Sequence, residues 1–224
     1  FSNSGAEANE AAIKLARIYG HKKGIEKPTV IVMEKAFHGR TMATITATAQ
    51  TKYHKGFEPM VPGFQYVQFD DLSQTEAAIN ENTCAILVEP IQSEGGGNTP
   101  SEGYLKGLRE LCDQHNLLLI FDEVQTAMGR LGTLFGYQSY GVIPDILTMA
   151  KSLGGGVAIG AMLAKKHIAD SFVPGTHAAT FGGNPLATAA AYATLKTVID
   201  EKLSENATKM GHYLADRLMR LKEK

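Results

Sequence analysis

The chain has 224 residues, 44% of them hydrophobic, and its 22 basic against 23 acidic side chains leave a formal net charge of −1. That length can bury a sizeable core in one large domain, or in one domain and part of another. The balanced charge leaves no electrostatic footprint for nucleic acid or an anionic membrane, and no apolar run reaches the length of a membrane span.

In chain order, FSNSGAEANE opens as if already inside a motif, with no initiator methionine and no leader, so an internal piece of a longer polypeptide is expected. Ser4 and Glu7 stand at capping-box spacing before AIKLARIYG, whose Ala12, Leu15, Ala16 and Tyr19 recur at helical spacing. Buried strands are predicted at TVIVM (29–33), YVQF (66–69), AILVE (85–89), LLLIFDE (117–123) and DILTMA (145–150). Between them, 102–115 carries a core-facing helical stripe of Tyr104, Leu105, Leu108, Leu111 and Cys112. From NPLATAAAYATLKTVIDEKL onward the pattern is helical only, as in a connector leaving the sheet domain. Alternation of this kind predicts an α/β fold with a mostly parallel central sheet between two helical layers. Cys84 and Cys112 lie in apolar surroundings without metal-ligand spacing, which reads as small core residues of a soluble protein in a reducing compartment. No metal site is expected.

In such sheets ligands collect at the carboxyl ends of the strands. Four features cluster at predicted strand ends or helix starts. At SNSGAEANE, Gly5 lets a ligand approach the backbone, and the free amides of a first helical turn make a phosphate cradle. In IFDEVQTAMGR, the carboxylates of Asp122 and Glu123 end a very apolar strand and require a cation or several donors. In DILTMAKSLGGG, Lys151 sits at a strand end where desolvation makes an amine nucleophilic, and Gly154, Gly155 and Gly156 give room for a bulky planar ligand. In EKAFHGRTMA, Phe37 offers a flat face and Arg40 a carboxylate fork, whereas His38 has no partner in the sequence and reads as structural. Each feature alone admits an ordinary role as a cap, an ion pair, a snorkelling lysine or a core ring. Together they ask for one ligand with a phosphate, a flat ring, a basic ring atom and a carbonyl that condenses with lysine, which is the description of pyridoxal 5′-phosphate. A nucleotide is the weaker alternative, because neither G-x-G-x-x-G nor G-x-x-x-x-G-K-[ST] occurs.

The blocks FSNSGAEANEAAIKLAR, AFHGRTMATITATAQTKYHKGFEPMVPGF, VEPIQSEGG, FDEVQTAMGR, AKSLGGG and TFGGNPLA, in that order, resemble the class III, fold-type I aminotransferases, and the long second block resembles their acetylornithine branch. The resemblance implies the large domain of that fold over residues 1–183, and over 184–224 the connector helices toward a C-terminal domain. It implies that Gly5 and Ala6 hold the cofactor phosphate, that Phe37 and Val124 cover the two ring faces, and that Gln125 bonds the phenolic oxygen. Asp122 then pairs with the ring nitrogen, and Lys151 bonds the cofactor and moves the substrate proton. Arg40 grips the distal carboxylate of the substrate, Glu94 masks a C-terminal arginine, Ala179 lies near the substrate, and Thr180 reaches the phosphate of a neighbouring subunit in a homodimer.

The activity so implied is transfer of the δ-amino group of N2-acetylornithine to 2-oxoglutarate in arginine biosynthesis, in the cytoplasm. Ser93, Ala127, Ala158 and Ala179 depart from the family's usual glycine, glycine, proline and serine. They leave succinylornithine, ornithine, 4-aminobutyrate or succinyldiaminopimelate open as donors. A non-catalytic protein that keeps the fold is the alternative from another class, and an intact Lys151, Asp122 and Gln125 argues against it.

Overall fold

A computed structural model describes residues 1–222. Helix α1 (Gly5–Lys22) buries Ala8, Ala11, Ala12, Ile13, Leu15 and Ala16, small side chains that let it lie close on the sheet. Strand β1 (Thr29–Met33) follows, then α2 (Met42–Ala47), α3 (Thr51–His54), β2 (Phe64–Val67), α4 (Leu72–Ala78) and β3 (Thr83–Val88). The chain continues through α5 (Tyr104–His115), β4 (Leu118–Asp122), α6 (Gly136–Tyr140) and β5 (Ile146–Met149). A 3₁₀ turn over Lys151–Gly154 leads to β6 (Ala161–Ala164), α7 (Lys166–Ala169), α8 (Pro185–Asp200) and α9 (Leu203–Lys222).

The strands form one six-stranded sheet in the order β2-β1-β3-β4-β5-β6, parallel throughout except where β6 pairs antiparallel with β5. Every residue of β3 and β4 is buried, as expected for central parallel strands covered on both faces. Alternate residues divide between two cores. Val30, Val32, Ala85, Leu87 and Ile120 pack with α1, whereas Ile31, Met33, Ile86, Leu119 and Phe121 pack with α5. The α5 stripe is the one read from its spacing, Tyr104, Leu105, Leu108, Leu111 and Cys112. Burial of each such side chain contributes roughly 1.5–3 kcal/mol before chain entropy is charged against it. A third core joins Met149, Leu153 and Ile159 to Ala187, Ala191 and Val198 of α8. Both cysteines are buried core residues, and burial pushes each thiol up to about 12.

Two elements differ from expectation. The segment predicted as a strand at 66–69 pairs at Phe64–Val67, because this edge strand takes its register from β1 alone. The Phe69 ring leaves the strand to meet Tyr104 edge-on, with centroids 5.3 Å apart. Strand β6 was not expected: AMLA lacks β-branched residues and a full apolar face, and only its pairing with β5 makes it a strand.

At the opposite edge of the sheet from the strand C-termini, Asp145 holds three elements together. It accepts from Arg109 Nη1 of α5 at 2.8 Å, Lys165 Nζ at 2.7 Å and the Leu119 amide at 2.9 Å. Burial raises its pKa, but Lys165, the Leu119 amide and Arg109 outweigh burial and hold it below 3.8. A folded pKa below the unfolded one gives stability that is complete above the unfolded value and fades as pH falls through the folded one. Asp145→Ala should therefore cost about 3 kcal/mol near neutral pH, since it strands two cations. In urea titrations the gap to wild type should close as the pH is lowered below 3.8.

Candidate active site

The C-terminal ends of β1, β3, β4 and β5 open on one cavity of about 440 Å³. It lies where the chain after β1 turns toward β2 and the chain after β3 turns toward β4. Gly5, Ala6, Phe37, Arg40, Glu94, Asp122, Val124, Gln125 and Lys151 all line it. Ala179 and Thr180 do not. They lie in the turn before α8, Thr180 exposed and Ala179 half-buried.

Helix α1 points its first turn at this cavity. Ser4 Oγ accepts from the Glu7 amide at 3.2 Å, as the capping spacing implied. Glu7 does not return the bond to Ser4; its carboxylate takes the Asn3 amide at 2.5 Å and Asn3 Nδ2 at 2.9 Å. Among the described residues the amides of Gly5 and Ala6 have no acceptor. Positive dipole and free donors thus meet at the cavity wall. Gly5 also serves packing: a Cβ there would lie 2.8 Å from Val124 Cγ1, where α1 meets the loop after β4.

Asp122 ends β4 at 3% exposure and is fully partnered. Its Oδ2 takes Asn9 Nδ2 at 2.7 Å and His38 Nδ1 at 2.7 Å, and its Oδ1 takes the Val124 amide at 3.0 Å. Asn9 is held in turn by the His38 carbonyl and by Thr148 Oγ1. His38 is therefore a buried partner of the central carboxylate rather than the structural residue expected. Burial by itself lowers the His38 pKa, yet the hydrogen bond and charge of Asp122 and the charge of Glu89 raise it overall. Glu123, one residue on, takes the structural alternative. It accepts from the Gly136 and Tyr137 amides at 2.5 and 2.7 Å and so caps α6.

Sequence reasoning missed Asn9 and Glu89 as well. Glu89 follows β3, lines the cavity at 5% exposure and accepts from the Phe37 amide at 3.0 Å. Its signal was present, since AILVE ends an apolar strand on a carboxylate just as IFD does. No local signal could have found the pairing of His38 with Asp122, 84 positions away.

Lys151 begins the 3₁₀ turn after β5 with φ of 40°, a left-handed backbone that costs a non-glycine residue about 1–3 kcal/mol. Its ammonium is exposed and donates to Gln125 Oε1, so the desolvation expected from its strand-end position is not provided by this chain alone. The glycines after it divide their tasks. A Cβ on Gly154 or Gly155 would strike Ile159 or Thr194 at 2.8 Å, whereas Gly156 has open space and lines the cavity. Across the cavity Arg40 is exposed, and among the described residues it forms no ion pair. The assembly combines an anion cradle, a buried carboxylate, a primary amine and a free guanidinium.

The aminotransferase class-III family model matches residues 1–224. The acetylornithine aminotransferase of Nitrosomonas europaea is 55% identical over 96% of this chain and 55% of its own length. A crystal structure of ornithine aminotransferase from Toxoplasma gondii ME49 superposes with a TM-score of 0.95 at 42% identity, over 97% of this chain and 53% of that one. A second structure of the Toxoplasma gondii ornithine aminotransferase, described as having partial occupancy of PLP at its active site, gives 0.94 at 42% identity over 97% and 52%. The chain spans about half the length of the relatives it matches.

Burial pushes Glu89 up to about 8; the charge of Asp122 adds to this, and His38, the Phe37 amide and Lys151 oppose it. A carboxyl whose folded pKa lies above its unfolded 4.5 destabilises the fold increasingly between those two values. Glu89→Gln should thus match wild type below 4.5 and gain stability up to about pH 8. The gain should stay under about 1.4 kcal/mol per pH unit in chemical denaturation.

Proposed function

The chain belongs to the class-III aminotransferases, and on that premise we propose that the protein it forms moves the δ-amino group of N2-acetylornithine to 2-oxoglutarate, with pyridoxal 5′-phosphate as cofactor. The products are N-acetylglutamate 5-semialdehyde and glutamate. One observation carries the reading: Lys151, Asp122 and the unpartnered amides of Gly5 and Ala6 face a single cavity. The residues fit the cofactor. Two free amides at a helix N-terminus suit a phosphate, the buried Asp122 suits a protonated ring nitrogen, and Lys151 Nζ suits an aldehyde. Phe37 and Val124 would hold the ring faces and Gln125 the phenolic oxygen. The bound cofactor supplies an electron sink for the substrate carbon that loses its proton.

The chain's own residues do the rest. Asn9 and His38 hold Asp122 oriented beneath the cavity. Lys151 Nζ takes the proton from the amine-bearing carbon, and its reach from a fixed turn supplies proximity. Arg40 receives the distal carboxylate that acetylornithine and 2-oxoglutarate both present. Glu94, exposed at the cavity edge, would mask an arginine from the C-terminal part of the protein. Ornithine is the second donor considered, because an ornithine aminotransferase superposes so closely; the higher identity to an acetylornithine enzyme favours the first.

Residues 1–183 would form the cofactor domain and 184–224 the connector. In support, α9 buries no residue and leaves Met210, Tyr213, Leu214, Leu218 and Met219 exposed. Among the described residues no helix is long and apolar enough to cross a membrane. A cytoplasmic homodimer without nucleic-acid or membrane partners is the proposed setting, with Thr180 completing the phosphate site of the neighbouring subunit.

An amine-donor panel on the full-length protein, read as glutamate formed, tests the reaction. Acetylornithine should lead the panel, and Lys151→Ala should abolish turnover with every donor. A different leading donor would reassign the substrate, and turnover by Lys151→Ala would overturn the mechanism.

Sharing of sites is tested by mixing Lys151→Ala and Thr180→Ala chains under exchange. A mixed dimer has one site with both lesions and one with neither, so activity should return toward half of wild type per dimer. No recovery despite proven exchange would place Thr180 in its own chain's site.

A further inference from the structure

Arg40 is exposed, yet its guanidinium is not left to solvent. It lies 4.4 Å from the centroid of the Tyr53 ring and 5.5 Å from that of Phe37. The two rings meet edge to face, with centroids 6.0 Å apart and planes at 82°. Tyr53 comes from the single-turn α3, is half-buried and does not line the cavity. What it presents to Arg40 is its π-face. A guanidinium against aromatic rings is held by the ring quadrupole and by stacking, and its in-plane N–H groups stay free for a carboxylate. Arg40 carries several rotatable bonds, and ordering it at the moment of substrate binding would cost entropy. A ring that orders it beforehand removes part of that cost.

From this geometry we infer that Tyr53 is a positioning residue that sets the affinity of the site for the distal carboxylate of its substrates, by holding Arg40 over the Phe37 ring. The inference rests on the carboxylate role proposed for Arg40. It also ties the substrate side of the cavity to the cofactor side, because Phe37 belongs to both contacts. Lys52 Nζ, 4.7 Å from the same Tyr53 centroid, shows that the ring already attracts a second cation.

The test uses the full-length holoenzyme with Tyr53→Leu, Tyr53→Met, Tyr53→Phe and Arg40→Ala. Glutarate binding is measured by calorimetry, and kcat and KM are measured separately for 2-oxoglutarate. Loss of the ring in Tyr53→Leu or Tyr53→Met should raise the glutarate Kd and the 2-oxoglutarate KM about threefold to tenfold while kcat stays within about twofold. Tyr53→Phe keeps the π-face and should remain within about twofold of wild type in all three. The methionine variant serves if the leucine one fails to fold. Unchanged glutarate binding in Leu or Met would overturn the inference. Equal weakening in Phe, or a fall in kcat in place of a rise in KM, would overturn it too. Should Arg40→Ala itself bind glutarate normally, the role of Arg40 fails and this inference with it. Should Arg40→Ala weaken glutarate while Tyr53→Leu does not, only the inference about Tyr53 fails.

Discussion

The structure is organised around a carboxylate that ought not to be buried. Asp122 sits at 3% exposure on the end of a strand whose other residues are all apolar. An ion there survives only if every lone pair finds a donor. It takes four structural units to provide them: α1 sends Asn9, the loop after β1 sends His38, β5 sends Thr148 behind Asn9, and the strand's own loop returns the Val124 amide. Those units bring to the cavity edge the free amides of Gly5 and Ala6, the Phe37 ring and the Lys151 turn. Satisfying one buried charge thus places much of the site.

The same arrangement creates a charge problem that a neutral site would not have. Two carboxyls, Asp122 and Glu89, share one imidazole, His38. The hydrogen-bonded carboxyl takes the imidazole for its partner, and the other is driven toward its protonated form by burial and by its neighbour's charge.

Elsewhere around the cavity, small residues serve packing as much as ligand access. Gly5 admits Val124, and Gly154 and Gly155 admit Ile159 and Thr194, while Gly156 faces open space. Close packing beneath the cavity wall makes that wall rigid, and a rigid wall keeps reacting groups within reach of one another. The left-handed turn at Lys151 belongs to the same economy, with its strain sustained by the packing of Leu153 and Gly154 behind it.

Much of this was legible in one dimension. Largely apolar segments of five to seven residues located β1, β3, β4 and β5, and the 3.6-residue stripe of Tyr104 to Cys112 placed α5, because burial on one or two faces dictates those patterns locally. Asp122 and Lys151 stood out because a charge at the end of an apolar run violates the local rule. Glu89 broke that rule in the same way and went unread. Other features were decided only in three dimensions. The register of β2 and the existence of β6 depend on what lies beside them. The union of His38 with Asp122, and of Arg40 with Tyr53, depends on which loops the sheet order sets side by side. Local sequence determines what a segment can bury; the neighbour a polar group meets is fixed by topology, because a hydrogen bond or a ring face reaches only a few ångströms and has no periodicity to betray it.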